Sequence, residues 1–201
     1  MYYLFDGFIL NSLVFEFKFC IPEVLFVHEN NESTEYHIGA KIVHPKYGGA
    51  TINDIEEKDV DGQSKLYYVL GVLGNGLTVS VPANSNKLNF RPVHAKSELE
   101  EIIAKADFSS IKSTKSKNWT EIYNKNLERL KSGDLKEVAS VFKYLVDKET
   151  LQTLSTTEKR MMSSAKQIIA SEIMLSFDIE NKLDAETKLM QLISDGNKKP
   201  N

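Results

Sequence analysis

Apolar and polar residues follow two different periods along this chain of 201 residues. In the first half, four short runs that carry apolar residues, over residues 38–43, 50–58, 66–73 and 77–81, are separated by glycine-containing turns. These runs predict four strands, and Asp61-Gly62 predicts a tight hairpin between the second strand and the third. Four short strands joined by tight turns favour a small, curled β-barrel of the SH3 or Tudor type.

In the second half of the chain the apolar positions change to helical spacing. One apolar stripe begins at Trp119, and we expect Gly133 to end that helix and Asp134 to cap the next. Ser97 and Ser155 each precede a glutamate by three residues, which is the pattern of the capping box at a helix start. The pattern therefore predicts a helical domain after the barrel.

The predicted fold class is α+β, with an N-terminal Tudor- or SH3-like barrel followed by an all-α domain. The predicted boundaries are 36–95 for the barrel, 96–195 for the helical domain and 196–201 for a disordered tail. The Ser/Lys-rich stretch 107–118 is predicted to be an exposed linker. Residues 1–35 are an extension. They are expected to be either an extra hairpin on the barrel or translated sequence upstream of a start near Tyr36.

The chain is slightly acidic as a whole, but one stretch in its second half is basic. The chain has 25 Lys and Arg against 28 Asp and Glu, a net charge of −3, which excludes a strongly basic nucleic-acid binder. Residues 110–168, however, carry 12 basic side chains against 7 acidic ones. Such a stretch can meet phosphate through counterion release, but on charge alone an ordinary solvated helix surface is the favoured explanation.

Catalytic and metal-binding patterns are missing from the sequence. The single Cys20 excludes an internal disulfide and any multi-cysteine zinc site, and the four histidines have no ligand spacing. There is no P-loop, no G-x-S-x-G nucleophile elbow and no calcium loop. We therefore expect a binding protein, not an enzyme, with no cofactor, metal or small-molecule ligand. We also expect a cytoplasmic protein, because no apolar run is long enough to span a bilayer. A monomer is expected as well.

The one tryptophan admits two interpretations. Trp119 shares a stripe with Ile122 and Tyr123, so the pattern alone favours a place in the core. It also follows a lysine-rich linker, and an exposed aromatic ring beside cations is suited to stacking on bases or wedging between them.

Several segments of both halves resemble one known family. In the first half these are residues 38–49 (IGAKIVHPKYGG), 66–70, 77–82 and 91–93. In the second half they are residues 118–119, 126–134, 154–155 and 158–161. The sequence over residues 36–195 resembles the CarD/CdnL family of bacterial transcription regulators.

The resemblance implies an accessory factor of RNA polymerase. The Tudor-like module would bind the polymerase β subunit. The helical domain would lie on promoter DNA at the upstream edge of the −10 element, where the tryptophan would act as a minor-groove wedge that stabilises the open complex. The protein would then be found at the nucleoid with the polymerase. The alternative is a protein-only adaptor, whose helical domain binds a protein partner instead of DNA.

The resemblance also assigns individual residues. It implies DNA contacts by Trp119, Lys159, Arg160, Lys125 and Lys117, and polymerase contacts by Lys58, Val60 and Ser80. The chain departs from the family pattern at Glu121, Ile122 and Asn124, where other members carry basic residues, and at Ser80, where some members carry arginine. These departures put phosphate contacts near Trp119, and an ion pair at position 80, in doubt.

Overall fold

A computed structural model of the protein describes residues 35–84, 88–108 and 119–197. Residues 1–34 of the predicted extension, residues 109–118 of the predicted linker and residues 198–201 of the predicted tail lie outside these ranges. In the described part, four antiparallel strands form one sheet in the order β1-β2-β3-β4. Their bounds are Lys41–His44 for β1, Gly48–Val60 for β2, Gln63–Val72 for β3 and Thr78–Pro82 for β4.

The sheet curls around its own apolar core. A register shift in β2 between Ile52 and Asp54 bends the long hairpin, as a β-bulge does. Tyr68 and Leu70 of β3 are fully buried against Ile52. The predicted hairpin turn is confirmed, since Asp61 and Gly62 both have positive φ, as a two-residue turn between twisted strands requires. This curled sheet agrees with the predicted Tudor-like fold.

Five helices are described after the sheet. Their bounds are Lys96–Ala104 for α1, Trp119–Lys131 for α2, Leu135–Leu151 for α3, Thr156–Phe177 for α4 and Lys182–Asn197 for α5. They enclose a second apolar core, in which α4 is the central element. None of the described helices combines the length and apolar character that crossing a bilayer needs. The predicted class, a β-sheet module followed by helices, is confirmed.

Two of the three predicted helix caps are present. The Asp134 side chain accepts a hydrogen bond from the Lys136 N–H at the start of α3, and Ser155 forms a complete capping box with Glu158 at the start of α4. The capping box predicted at Ser97 is wrong. Helix α1 begins at Lys96, two residues before the start that a cap at Ser97 would give, and the N-cap position is Ala95, which makes no side-chain cap hydrogen bond.

The carboxylate of Glu100 explains this difference. It accepts a hydrogen bond from Lys188 Nζ of α5 at 2.7 Å. The pattern of the capping box was therefore present in the sequence, but a tertiary partner on α5 engages its glutamate.

The turn between β1 and β2 lies directly on α4. The Gly49 N–H donates to Ser171 Oγ at 2.8 Å, and a Cβ atom at Gly49 would lie 2.5 Å from the Ser171 carbonyl oxygen. A side chain at this position would therefore separate the sheet from the helix. Residues 33–201 form one compact unit, and this contact is part of what holds it together.

Candidate functional site

Trp119 is the first residue of α2 and is half exposed, at 50%. Its ring stacks on Tyr123, with 5.4 Å between the ring centroids and 16° between the planes. The buried residues of α2 are Asn126 and Leu130, so the tryptophan lies at the edge of the helical core and not within it. The ring is thus ordered by one neighbour and still presents a face to solvent.

A small cleft beneath this ring joins three helices. Trp119 and Tyr123 line it from α2, Tyr144 and Lys148 from α3, and Glu158 from α4. Tyr123 was noticed in the sequence only as a member of the apolar stripe. Because the cleft is shared between α2 and the first turn of α4, it places Trp119 beside the segment that carries the expected DNA-contacting residues.

An ion pair fixes the first turn of α4. Lys148 of α3 pairs with the buried carboxylate of Glu158, which also accepts from the Ser155 N–H at 3.0 Å. Burial raises the pKa of Glu158, but the hydrogen bonds from Lys148 and Ser155 outweigh it and hold the pKa below its ordinary value. The carboxylate is therefore charged at neutral pH. Lys148 was missed from the sequence because its partner is ten positions away in another helix.

Lys159 and Arg160 follow directly on this fixed turn. Both side chains are exposed. They are the fourth and fifth residues of α4, so they add two cations near the positive end of the helix dipole, which favours bound anions.

Of the other expected DNA-contacting residues, Lys125 lies on α2 and Lys117 lies outside the described residues. Lys125 Nζ is 2.8 Å from Glu121 Oε1, so its charge is partly compensated by one of the departures from the family pattern. The described cations best placed for phosphate are therefore those of α4 and not those of α2.

The expected polymerase-contacting residues lie on the sheet. Lys58 Nζ donates to Ser80 Oγ at 3.0 Å, which brings two of them together across β2, β3 and β4. The same ammonium is 3.0 Å from Glu56 Oε2 and 5.4 Å from the centroid of the Tyr67 ring. Val60, at the end of β2, is half-buried. Strand β4 pairs only with β3 in the described sheet, so its other edge is unpaired there.

A buried ion pair joins the end of the sheet module to α4. Arg91 bridges to Val43 of β1 through its backbone and binds Glu172 through two parallel hydrogen bonds of 2.6 and 2.7 Å. His94 Nδ1 lies 2.7 Å from Glu172 Oε1, and the Glu172 side chain is fully buried. Glu172 could not be singled out from the sequence, because a single glutamate on an apolar helix face has no local signal for its partner.

The described residues contain no cluster of three or more His, Cys, Asp or Glu that could hold a metal ion. The described surface also offers an exposed aromatic ring, a pair of cations and an open strand edge. These are means of binding.

Comparisons with known proteins agree with this arrangement. Residues 36–94 match the family model of the CarD-like/TRCF RID domain, and residues 106–189 match that of the CarD C-terminal domain. A curated protein of Bacillus subtilis (strain 168), named "Putative transcription factor YdeB", is 30% identical over 139 residues, which are 69% of this chain and 90% of that protein. The resemblance seen in the sequence is confirmed, and the chain belongs to the CarD-like family of transcription regulators.

Proposed function

We propose that this protein binds the β subunit of RNA polymerase through its sheet and promoter DNA, near the upstream edge of the −10 element, through its helices. The observation that carries the proposal is the half-exposed Trp119 ring beside the start of α4, where Lys159 and Arg160 are exposed. An ordered aromatic ring next to cations that have no carboxylate partner among the described residues suits a minor-groove wedge.

The wedge acts through the energy of base stacking. Opening one base step costs a few kcal/mol, and an inserted ring can offset part of that cost only in DNA that is already distorted. Because Tyr123 holds the Trp119 ring in place before DNA arrives, insertion orders little that was mobile. A protein that binds melted DNA more tightly than closed duplex shifts the equilibrium toward the open complex without any bond chemistry.

Phosphate contacts would come mainly from α4. Lys159 and Arg160 are exposed at a helix N-terminus, whereas Lys125 is already paired with Glu121. Each phosphate neutralised by a cation releases counterions, so DNA affinity should fall steeply with salt. Lys159→Ala should then reduce the slope of log affinity against log salt by about one, measured by fluorescence anisotropy on a labelled promoter duplex.

The test of the wedge is Trp119→Ala in an open-complex assay with RNA polymerase from the native cell. We expect the open complex to dissociate about tenfold faster, which corresponds to roughly 1.4 kcal/mol of the unstacking cost. Polymerase binding should be unchanged. The free energy of unfolding should fall by only about 1 kcal/mol, because the ring is half exposed and packs mainly on Tyr123.

Leu183→Ala is the matched control, since Leu183 is a large apolar residue that is 67% exposed on α5. It should leave the lifetime of the open complex unchanged. A Trp119→Ala protein that is strongly destabilised, with normal promoter opening per folded molecule, would contradict the wedge. Absence of DNA binding at low salt, with polymerase binding intact, would instead favour the protein-only adaptor.

A further inference from the structure

A groove next to the tryptophan cleft opens between α2, α4 and the β1–β2 turn, and it shares the lining residues Tyr123 and Met161 with that cleft. Its volume is about 440 Å³. The apolar part of its surface comes from Leu127 and Leu130 of α2 and from Met161 and Ile168 of α4, and Pro45 closes one end. Leu130, Met161 and Ile168 belong to the buried core, so the floor of the groove is built into the fold.

The rim of this groove carries three cations from three different elements. Lys46 lies in the β1–β2 turn, Lys131 ends α2 and Arg160 is the fifth residue of α4. All three are exposed. Within the described ranges, no carboxylate oxygen lies within 4.0 Å of their charged nitrogens, whereas lysines on the neighbouring helix faces, such as Lys148 and Lys166, are paired.

We propose that this groove binds a small amphipathic organic anion, with an apolar body and one carboxylate, sulfonate or phosphate head. The apolar floor accounts for the body, and the unpaired cations at the rim account for the head, since a charge-assisted hydrogen bond to a guanidinium or ammonium is stronger than a neutral one. The volume lies within the range of about 300–1,000 Å³ that is usual for small-molecule sites. If DNA were the occupant of the groove, its phosphates would use the cations at the rim, but the apolar floor would have no role.

This site goes beyond the proposed function and does not depend on it. Arg160 is nevertheless common to both, because it stands on the groove rim and is an expected DNA contact. A ligand that occupies the Arg160 guanidinium would compete with phosphate for it, so the groove would connect the level of a small anion to the affinity for DNA.

The experiment compares two dyes on the full chain. The probe 8-anilinonaphthalene-1-sulfonate carries one anionic head on an apolar ring system, and N-phenyl-1-naphthylamine has the same rings without the sulfonate. Both can be followed by energy transfer from Trp119, the chain's one tryptophan, which lies one helical turn before the groove residue Tyr123. We expect saturable binding of the sulfonate dye at one site, with a weaker affinity for the neutral dye.

Variants locate the site. In the double variant Lys131→Gln with Arg160→Gln, the dissociation constant of the sulfonate dye should rise about tenfold or more, and that of the neutral dye by less than about twofold. Leu127→Gln should weaken both dyes. Lys65→Gln, which removes an exposed lysine of β3 far from the groove, should change neither.

Two results would overturn the proposal. One is the absence of saturable binding of the sulfonate dye to the unmodified protein. The other is a double variant that binds the sulfonate dye as well as the unmodified protein does, or that loses both dyes equally. An equal loss would mean that the groove is an apolar docking surface without selection for an anion.

Discussion

Glu172 carries a fully buried carboxylate, and both of its oxygens have hydrogen-bond partners. One oxygen of its carboxylate accepts from Arg91 and faces His94 Nδ1, and the other accepts from Arg91 as well. Burial raises the pKa of Glu172, but the hydrogen bonds and charge of Arg91, and then His94, outweigh it and hold the pKa below the ordinary 4.5. A buried charge of this kind is tolerated because it is fully paired.

Glu172→Gln should therefore destabilise the protein by about 3 kcal/mol, because it leaves the half-buried Arg91 guanidinium without its counter-charge. The measurement is denaturant unfolding followed by circular dichroism. Glu101→Gln is the control, since it breaks an exposed ion pair with Lys105 and should leave the denaturation midpoint nearly unchanged.

The same carboxylate gives a pH dependence whose sign follows from its pKa. Because the folded pKa lies below the unfolded value, the stabilisation is fully present above about pH 4.5 and is lost as the pH falls through the folded pKa. Glu172→Gln should reduce the loss of stability on acidification below pH 4.5. An acid limb equally steep in both proteins would mean that the carboxylate is not the group responsible.

At the scale of elements, strand β4 matters most for our proposal on the sheet, because one of its edges is unpaired in the described part of the chain. It is an edge strand of five residues, and an unpaired edge can accept a strand from a partner through main-chain hydrogen bonds. Lys58 reaches this strand from β2 and bonds to Ser80. Because Ser80 stands where some family members carry arginine, Lys58 is the cation that remains at this position.

Lys58→Ala should weaken binding to the polymerase β subunit by about two- to fivefold, mainly through slower association, as the loss of a rim charge usually does. Biolayer interferometry at two salt concentrations measures both the rate and its salt dependence. Promoter affinity of the isolated protein should not change. Lys105→Ala, at an exposed lysine after α1, is the control. A loss of DNA affinity in Lys58→Ala would show that Lys58 contacts DNA and that its assignment to the polymerase is wrong.

Local signals explain which elements could be predicted from the sequence. The Asp61-Gly62 turn, the Asp134 cap and the capping box at Ser155 depend on residues within three positions of one another, and all three are present. The capping box at Ser97 was wrong because Glu100 binds Lys188, 88 positions away.

The candidate site was predictable only through the family resemblance. The apolar stripe favoured a buried Trp119, yet the ring is half exposed, since Trp119 is the first residue of α2 and the stripe packs on the helical core only from Tyr123 onward. The groove residues Lys46, Lys131 and Arg160 come from three elements, and nothing in their local sequence indicates that they share a rim.

At the scale of the whole molecule, two buried polar contacts join the sheet to the helices. The Gly49–Ser171 hydrogen bond and the Arg91–Glu172 pair both join the sheet module to α4. We therefore expect residues 33–201 to unfold in one cooperative transition, although the two parts match separate family models. Coincident transitions in far-ultraviolet circular dichroism and Trp119 fluorescence would agree with this. Two separated transitions would show that the parts are independent domains.

The bond between Gly49 and Ser171 also bears on synthesis, because it spans 122 positions of the chain. At about 5–20 residues per second, the ribosome adds that length in roughly 6–24 s. The β1–β2 hairpin can form within microseconds, so its glycine turn is exposed for seconds before Ser171, its partner, has been synthesised. Until α4 emerges, the face of the nascent sheet that Ser171 will cover therefore stays exposed to solvent and to other molecules.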